Sequence, residues 1–255
     1  WKDSMGAFIY CIDANVSRNR NMVMELAKSI TRIGGAEIDN GHKCTYFQQG
    51  YPIWYMYGYV YDGVDPDTGN GIYRDMDGDG KITTSDMTMV GCAQPDFTYG
   101  LSLMAEYKGV DFILSGNGSQ GNDIWFAGLR TNHLKNLPEV FYDRAWKHPG
   151  DVTRYPRFSQ TLTSSYLRSS ACVYDGSFFR INQIQIGYSL PDRIIDKVNV
   201  DRIRLFLSMD DYFTFSRYIG FDPVTAGDDV SSGNGIDRGS YPTPRKLTLG
   251  VNISL

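Results

Sequence analysis

The sequence predicts an all-β chain, and within that class antiparallel strands from a transmembrane barrel, on three observations. Apolar and polar residues alternate strictly through several segments, which is the period of a strand with one face in apolar surroundings. The opposite face is built of Gly, Ser, Asn, Gln and Asp rather than Lys and Glu, with tyrosines at several strand ends. Long and short links alternate between the segments. Alternation alone fits a barrel and a large soluble β protein equally, because each barrel strand is a weak signal by itself. The connection lengths favour the barrel, whose turns are short on the periplasmic side and long on the extracellular side.

Taken in order, the first strand covers residues 7–17, where Phe8, Tyr10, Ile12, Ala14 and Val16 oppose Ile9, Cys11, Asp13, Asn15 and Ser17. A short turn at 18–21 leads to a second strand near 22–33, and an outward excursion spans roughly 34–96. The next strand, 98–107, sets Tyr99, Leu101, Leu103, Ala105 and Tyr107 against Thr98, Gly100, Ser102, Met104 and Glu106. Lys108 and Gly109 form a tight turn into 110–115, with Val110, Phe112 and Leu114 in register. A very long excursion, 116–176, follows. A strand near 177–190 carries Ile184, Ile186, Tyr188 and Leu190, and the turn-like link 191–201 joins it to a strand near 202–215 with Ile203, Leu205, Leu207 and Met209. The third excursion is 217–245. The chain closes on 246–255, where Leu247, Leu249, Val251, Ile253 and Leu255 face away from Lys246, Thr248, Gly250, Asn252 and Ser254. Seven strands result, and the alternation of long and short links puts the carboxyl terminus on the periplasmic side.

Composition bounds the function. At 42% hydrophobic and 14% aromatic, with 18 Tyr in 255 residues, the chain is too apolar to be disordered. A net charge of -4 argues against a nucleic-acid footprint. No apolar run reaches the roughly 18 residues a spanning helix needs, which leaves barrels untouched. The chain opens on Trp1 with no leader, so it reads as a processed or truncated piece. Cys11, Cys44, Cys92 and Cys172 show no CxxC spacing. A Cys44–Cys92 disulfide between outward segments is conceivable in an oxidising compartment.

The strongest site motif is residues 75–86. Asp75, Asp77 and Asp79 stand at positions 1, 3 and 5 of a twelve-residue calcium loop, Gly80 at 6, Ile82 at 8 and Asp86 at 12. A hard cation takes six to eight oxygens, so alternate carboxylates curl round it while glycine makes the sharp turn; Lys81 would contribute its backbone carbonyl. Position 12 is Asp rather than Glu, which shortens the reach, and no helix precedes the loop. The competing reading is an acidic, metal-free surface turn.

Other matches carry less. Gly116, Gly118 and Gly121 satisfy GxGxxG but lack a βαβ context, so flexible loop glycines account for them better than a dinucleotide site. His42, His133 and His148 fit no metal or triad spacing, and no GxSxG is present. The stretch 132–146 has Leu134, Leu137, Val140, Phe141 and Ala145 at near-helical spacing, as a packed helix within the long excursion would.

Several segments resemble the SusC/RagA family of TonB-dependent outer-membrane transporters. They are YGYVYDGV (57–64), the calcium-like loop, PDFTYG (95–100), YKGVDF (107–112), GNDI (121–124), FRINQIQIGYSLP (179–191), YFTFSRY (212–218), GFDP (220–223) and GIDRGSYPTP (235–244), closed by the terminal strand. The resemblance implies the carboxyl-terminal part, about seven strands, of a barrel of about 22 strands. It further implies import of oligosaccharides or peptides driven by TonB, a SusD-like surface lipoprotein as lid, and a plug domain and TonB box upstream of this chain. Seven strands cannot close in lipid, so they must pair with the remaining barrel. The final residue is Leu255 where an aromatic is common.

No bond-breaking chemistry is expected. Selectivity would come from outward loops and polar lumenal side chains. Trp54, Tyr55, Tyr57 and Trp125 could offer stacking faces, but for any one of them girdle or loop packing is the favoured reading. A secreted calcium-stabilised β module that binds carbohydrate is the competing class, and a secreted glycoside hydrolase the third.

Overall fold

The computed structural model describes residues 2–5, 7–35, 37–39, 42–129, 139–157, 163–195, 200–226 and 234–254. Its largest sheet has seven antiparallel strands: β1 (Lys2–Met5), β2 (Phe8–Ser17), β3 (Phe97–Tyr107), β4 (Val110–Gln120), β5 (Phe178–Ser189), β6 (Arg202–Ser216) and β7 (Lys246–Ser254). Spatial order follows chain order throughout, as an up-and-down barrel wall requires. Among the described residues, β1 and β7 each pair on one side only. Among the described residues, no helix is long and apolar enough to cross a membrane.

Register carries the apolar row from strand to strand without a slip. Leu249 pairs with Leu207, Leu207 with Ile186, Ile186 with Phe112, Phe112 with Ala105 and Ala105 with Tyr10. Because side chains alternate with period two, these residues share one face, and a one-residue slip anywhere would turn part of it over. That face is bare, with Leu249 80% exposed and Ile253 60% exposed.

Aromatic rings bound it at both ends. At the short-turn end Phe8 packs against Tyr107 and Tyr10, with centroids 6.4 and 5.9 Å apart. At the long-loop end Tyr99 stacks on Phe179 at 5.9 Å and 4°, and Phe179 on Phe215 at 6.4 Å. The two bands are eight residues apart on β3 (Tyr99 to Tyr107), or about 27 Å along the strand at ~3.4 Å per residue. A tilt of about 40° brings that to about 20 Å, close to the roughly 25 Å apolar band of membrane barrels.

Gly118 makes the upper band possible. A Cβ there would lie 2.4 Å from the Tyr99 ring, and one at Gly116 would lie 2.9 Å from Phe179. These glycines therefore sit inside β4, under crossing rings, rather than in a flexible loop as the sequence suggested. The strand continues past residue 115 to Gln120, where Gly, Ser and Asn keep the pairing with β3 unbroken while the register with β5 shifts between Ser115 and Gly116, and they provide no apolar pattern to read.

The expected strand near 22–33 is absent from the wall, and β1 takes its place beside β2. Lys28 and Arg32 interrupt the apolar row, and the segment is held irregularly instead. The Val23 N–H donates to the Tyr51 carbonyl (2.9 Å), the Gly50 N–H donates to the Val23 carbonyl (2.9 Å), and Arg32–Gly34 pairs with Thr45–Gln48. Ser17 pairs with Thr98 at the long-loop end, so residues 18–21 leave the wall on that side and not on the short-turn side. One continuous excursion thus runs from β2 to β3.

The excursions fold together into a lobe, and the deepest core of the chain lies there. Cys44, Met56, Trp125, Phe141, Tyr166 and Ile236 belong to a single buried cluster, drawn from all three excursions. Backbone pairing fastens it: Asp123–Phe126 runs antiparallel to Val173–Asp175 and parallel to Ile236–Asp237. The helix expected within 132–146 is seen at Glu139–Arg144, with Phe141 1% exposed in the core; residues 130–138 lie outside the described residues.

Candidate functional site

The second face of the wall is polar, and it carries two ion pairs, Asp111–Arg204 and Arg180–Asp222. Asp111 of β4 and Arg204 of β6 are not on neighbouring strands, yet the Arg204 Nε donates to Asp111 Oδ1 at 2.8 Å. They meet across Gly187 of β5, which pairs with Asp111 on one side and Phe206 on the other. A Cβ at Gly187 would fall within 2.6 Å of both partners, so glycine opens the gap the pair occupies. Beside it, Gln183, Ser208 and Asp210 form a hydrogen-bonded row, with the Ser208 hydroxyl donating to Asp210 at 2.8 Å.

Higher on the same face, Arg180 fastens the third excursion to the wall. Its guanidinium donates to Thr214 Oγ1 (3.0 Å), Thr243 Oγ1 (3.0 Å) and Asp222 Oδ1 (2.5 Å). The N–H groups of Val224 and Thr243 donate to Asp222 as well. Burial alone would raise the Asp222 carboxyl pKa, but Arg180 and those two N–H donors outweigh it and hold the group below its ordinary value. Nearby, the Tyr218 hydroxyl donates to buried Asp237 at 2.6 Å, and Asp237 also accepts from the Gly239 and Ser240 N–H groups. Arg180, Asp222, Thr243 and Asp237 fall within the segments FRINQIQIGYSLP, GFDP and GIDRGSYPTP, but sequence spacing did not reveal that they meet.

The loop 75–86 folds as a compact acidic turn. Gly78 and Gly80 take positive φ (78° and 80°), a region open to glycine. Asp75 accepts the Gly78 and Gly80 N–H groups at 2.6 and 2.8 Å. Asp86 is fully buried and accepts from Met76 (2.8 Å) and Thr83 (2.7 Å), the latter as half of a capping box on Thr84–Asp86. One carboxylate oxygen from each of Asp75, Asp77 and Asp86 lies within 4.8 Å of the others. Asp79 turns to accept the Lys81 N–H at 2.7 Å and is not in that cluster. Hydrogen bonds from Thr83 and Met76 hold the Asp86 carboxyl below its ordinary pKa. The Asp79 N–H lowers that of Asp77, but desolvation and the negative charges of Asp79, Asp86 and Asp75 prevail and leave it raised. Three hard oxygen donors that repel one another suit a divalent cation chemically.

Two of the aromatics that could offer stacking faces do not. Tyr55 and Trp125 are each 1% exposed, closed in by lobe packing, and Trp54 packs against the same core. Tyr57 stays partly exposed beneath the Arg32 guanidinium, 4.2 Å from its ring centre. Cys11, Cys44, Cys92 and Cys172 are not joined in disulfides, so the Cys44–Cys92 bridge is not formed. His42 contacts Arg168, the His148 N–H donates to Asp151, and His133 lies outside the described residues.

Comparison with known proteins agrees with this geometry. No family model matches the chain. TonB-dependent receptor P3 of Formosa agariphila is 30% identical over 96% of this chain and 27% of its own length. Receptor P26 of the same organism is 31% identical over 73% of this chain, and TonB-dependent receptor SusC of Bacteroides thetaiotaomicron is 24% identical over 96%. Among solved structures, the RagAB peptide transporter superposes with a TM-score of 0.79 at 20% identity, over 99% of this chain and 28% of that one. The chain spans about a quarter of the length of these relatives.

Proposed function

The chain belongs to the SusC/RagA family of TonB-dependent receptors, and from that premise we propose that it forms the carboxyl-terminal wall of an outer-membrane importer. The observation that carries this reading is the seven-stranded sheet whose bare apolar face is bounded by aromatic bands and whose other face is polar. The apolar face meets lipid, the polar face lines the lumen, and the lobe stands outward over the mouth. A secreted carbohydrate-binding module would have to leave that apolar face in water, far beyond the patch a soluble monomer tolerates.

The remaining barrel strands and the plug complete the wall and fill it, since an unpaired edge in lipid leaves backbone groups unsatisfied. TonB supplies the drive, and a SusD-like surface lipoprotein covers the lobe. The solute is an oligosaccharide or a peptide. The RagAB structure is that of a peptide transporter, and SusC is a relative of comparable coverage. The chain carries binding and conduction rather than bond-breaking chemistry. Calcium is a structural ion in this reading. Asp75, Asp77 and Asp86 would hold it directly, with the Lys81 carbonyl adding to the shell, and it would pin the outward loop.

Cells carrying the intact receptor are compared with cells lacking it, using a mixed pool of labelled oligosaccharides and peptides. We expect receptor-dependent uptake of one solute class, abolished when TonB is depleted. Identical uptake with and without the receptor contradicts import.

A further inference from the structure

Three arginines from separate segments line one open cleft of the lobe, about 570 Å³ in volume, and among the described residues no carboxylate lines it with them. Arg144 ends the helix Glu139–Arg144, Arg154 lies in the segment after it, and Arg217 follows β6. Among the described residues none of the three has an ion-pair partner, in contrast with Arg74, Arg180 and Arg204. Exposed arginines are ordinary. Three in one recess, on a chain whose net charge is -4, are not evenly spread counter-charge.

The backbone beneath them is fixed. The Thr153 hydroxyl donates to the Arg144 carbonyl, the Tyr61 hydroxyl donates to the Arg154 carbonyl at 2.9 Å, and the Trp146 N–H donates to the Tyr155 carbonyl at 2.9 Å. The Arg154 guanidinium rests 5.4 Å from the centre of the Tyr174 ring, so it is oriented rather than trailing in solvent. Tyr174 lines the same cleft and is 8% exposed, with its hydroxyl buried beside Tyr155, so the ring forms a fixed wall under the Arg154 guanidinium.

We propose that this cleft binds a carboxylate-bearing segment of the imported solute, with Arg154 and Arg217 as the principal cations. Guanidinium groups pair with carboxylates in forked geometry, and their charge raises the local concentration of an anionic solute at the mouth. This rests on the import reading above and narrows its substrate class to acidic oligosaccharides or acidic peptides, which share the carboxylate.

The test titrates the purified full-length receptor in detergent with hexagalacturonate, hexaaspartate and, as a neutral control, maltohexaose. We expect one acidic probe to bind. That binding should weaken about tenfold or more in the double variant Arg154→Gln/Arg217→Gln and fall with added salt. The acidic probe that binds identifies the source of the carboxylate. Failure of both acidic probes to bind, or unchanged affinity in the double variant, overturns the proposal. Uptake is scored separately in cells: TonB-dependent uptake with unchanged affinity removes the anion site and leaves import standing. Arginine-dependent binding without uptake removes import and leaves the site.

Discussion

Arg180 Nη2 and Asp222 Oδ1 lie 2.5 Å apart with both side chains buried, and they join a wall strand to the loop that folds back over it. Every polar group of the pair is used, since Thr214, Thr243 and the Val224 N–H complete the set. Removing one partner leaves a buried charge, at a cost of about 3–5 kcal/mol, whereas replacing both with apolar residues of similar volume is far milder. We therefore expect Asp222→Ala to expose residues 217–245 to protease in the full-length receptor, and Arg180→Met/Asp222→Leu to protect them better than the single change. Equal protection of Asp222→Ala and the parent would show that the pair does not anchor the loop.

The Tyr99–Phe179 stack depends on the missing side chain at Gly118. A Cβ at 2.4 Å from the Tyr99 ring forces the ring aside and forfeits a contact of about 0.5–1.5 kcal/mol. Gly118→Val is expected to lower the temperature at which the folded barrel loses its compact electrophoretic mobility, and Gly118→Val/Tyr99→Ala should show little further loss. Strictly additive losses would mean that glycine and ring do not act as a unit.

The acidic loop gives opposite signs at two of its carboxylates. Asp86, whose folded pKa is depressed, adds stability above its unfolded pKa of about 3.9, and this is lost as pH falls through the folded value. Asp77, whose folded pKa is raised, is a liability when ionised, and the loop gains from its protonation as pH falls towards that value. In chelator at neutral pH, Asp77→Asn should leave proteolysis of the loop unchanged or slow it. In calcium the same change should hasten cleavage relative to the parent. Calcium that fails to protect the parent loop would end the metal assignment.

Strand identity was legible wherever one face had to be apolar. The rows through Tyr99–Tyr107, Ile184–Tyr188 and Leu247–Ile253 read correctly because lipid enforces them. Lys2–Met5 is four residues long and has no apolar row to betray it, so the seventh wall strand is expected near 22–33 instead. Twelve-residue spacing located the acidic loop but not that Asp79 would turn away to Lys81. For Tyr55 and Trp125 the sequence favours packing over a stacking face, but gives no sign that three separate excursions close over them. For the same reason Arg180 and Asp222, 42 positions apart, were visible only as parts of separate motifs.

Adjacent positions on β7 test the two-faced wall most directly. Thr248→Cys and Leu249→Cys are placed singly in the full-length receptor, in a background lacking the four native cysteines, and treated in outer membranes with a charged, water-soluble thiol reagent. We expect Thr248→Cys to be labelled and Leu249→Cys to be protected until detergent or a lipid-soluble reagent is added. Equal labelling of the two, or labelling of Leu249→Cys alone, would contradict a wall with lipid on one side and water on the other.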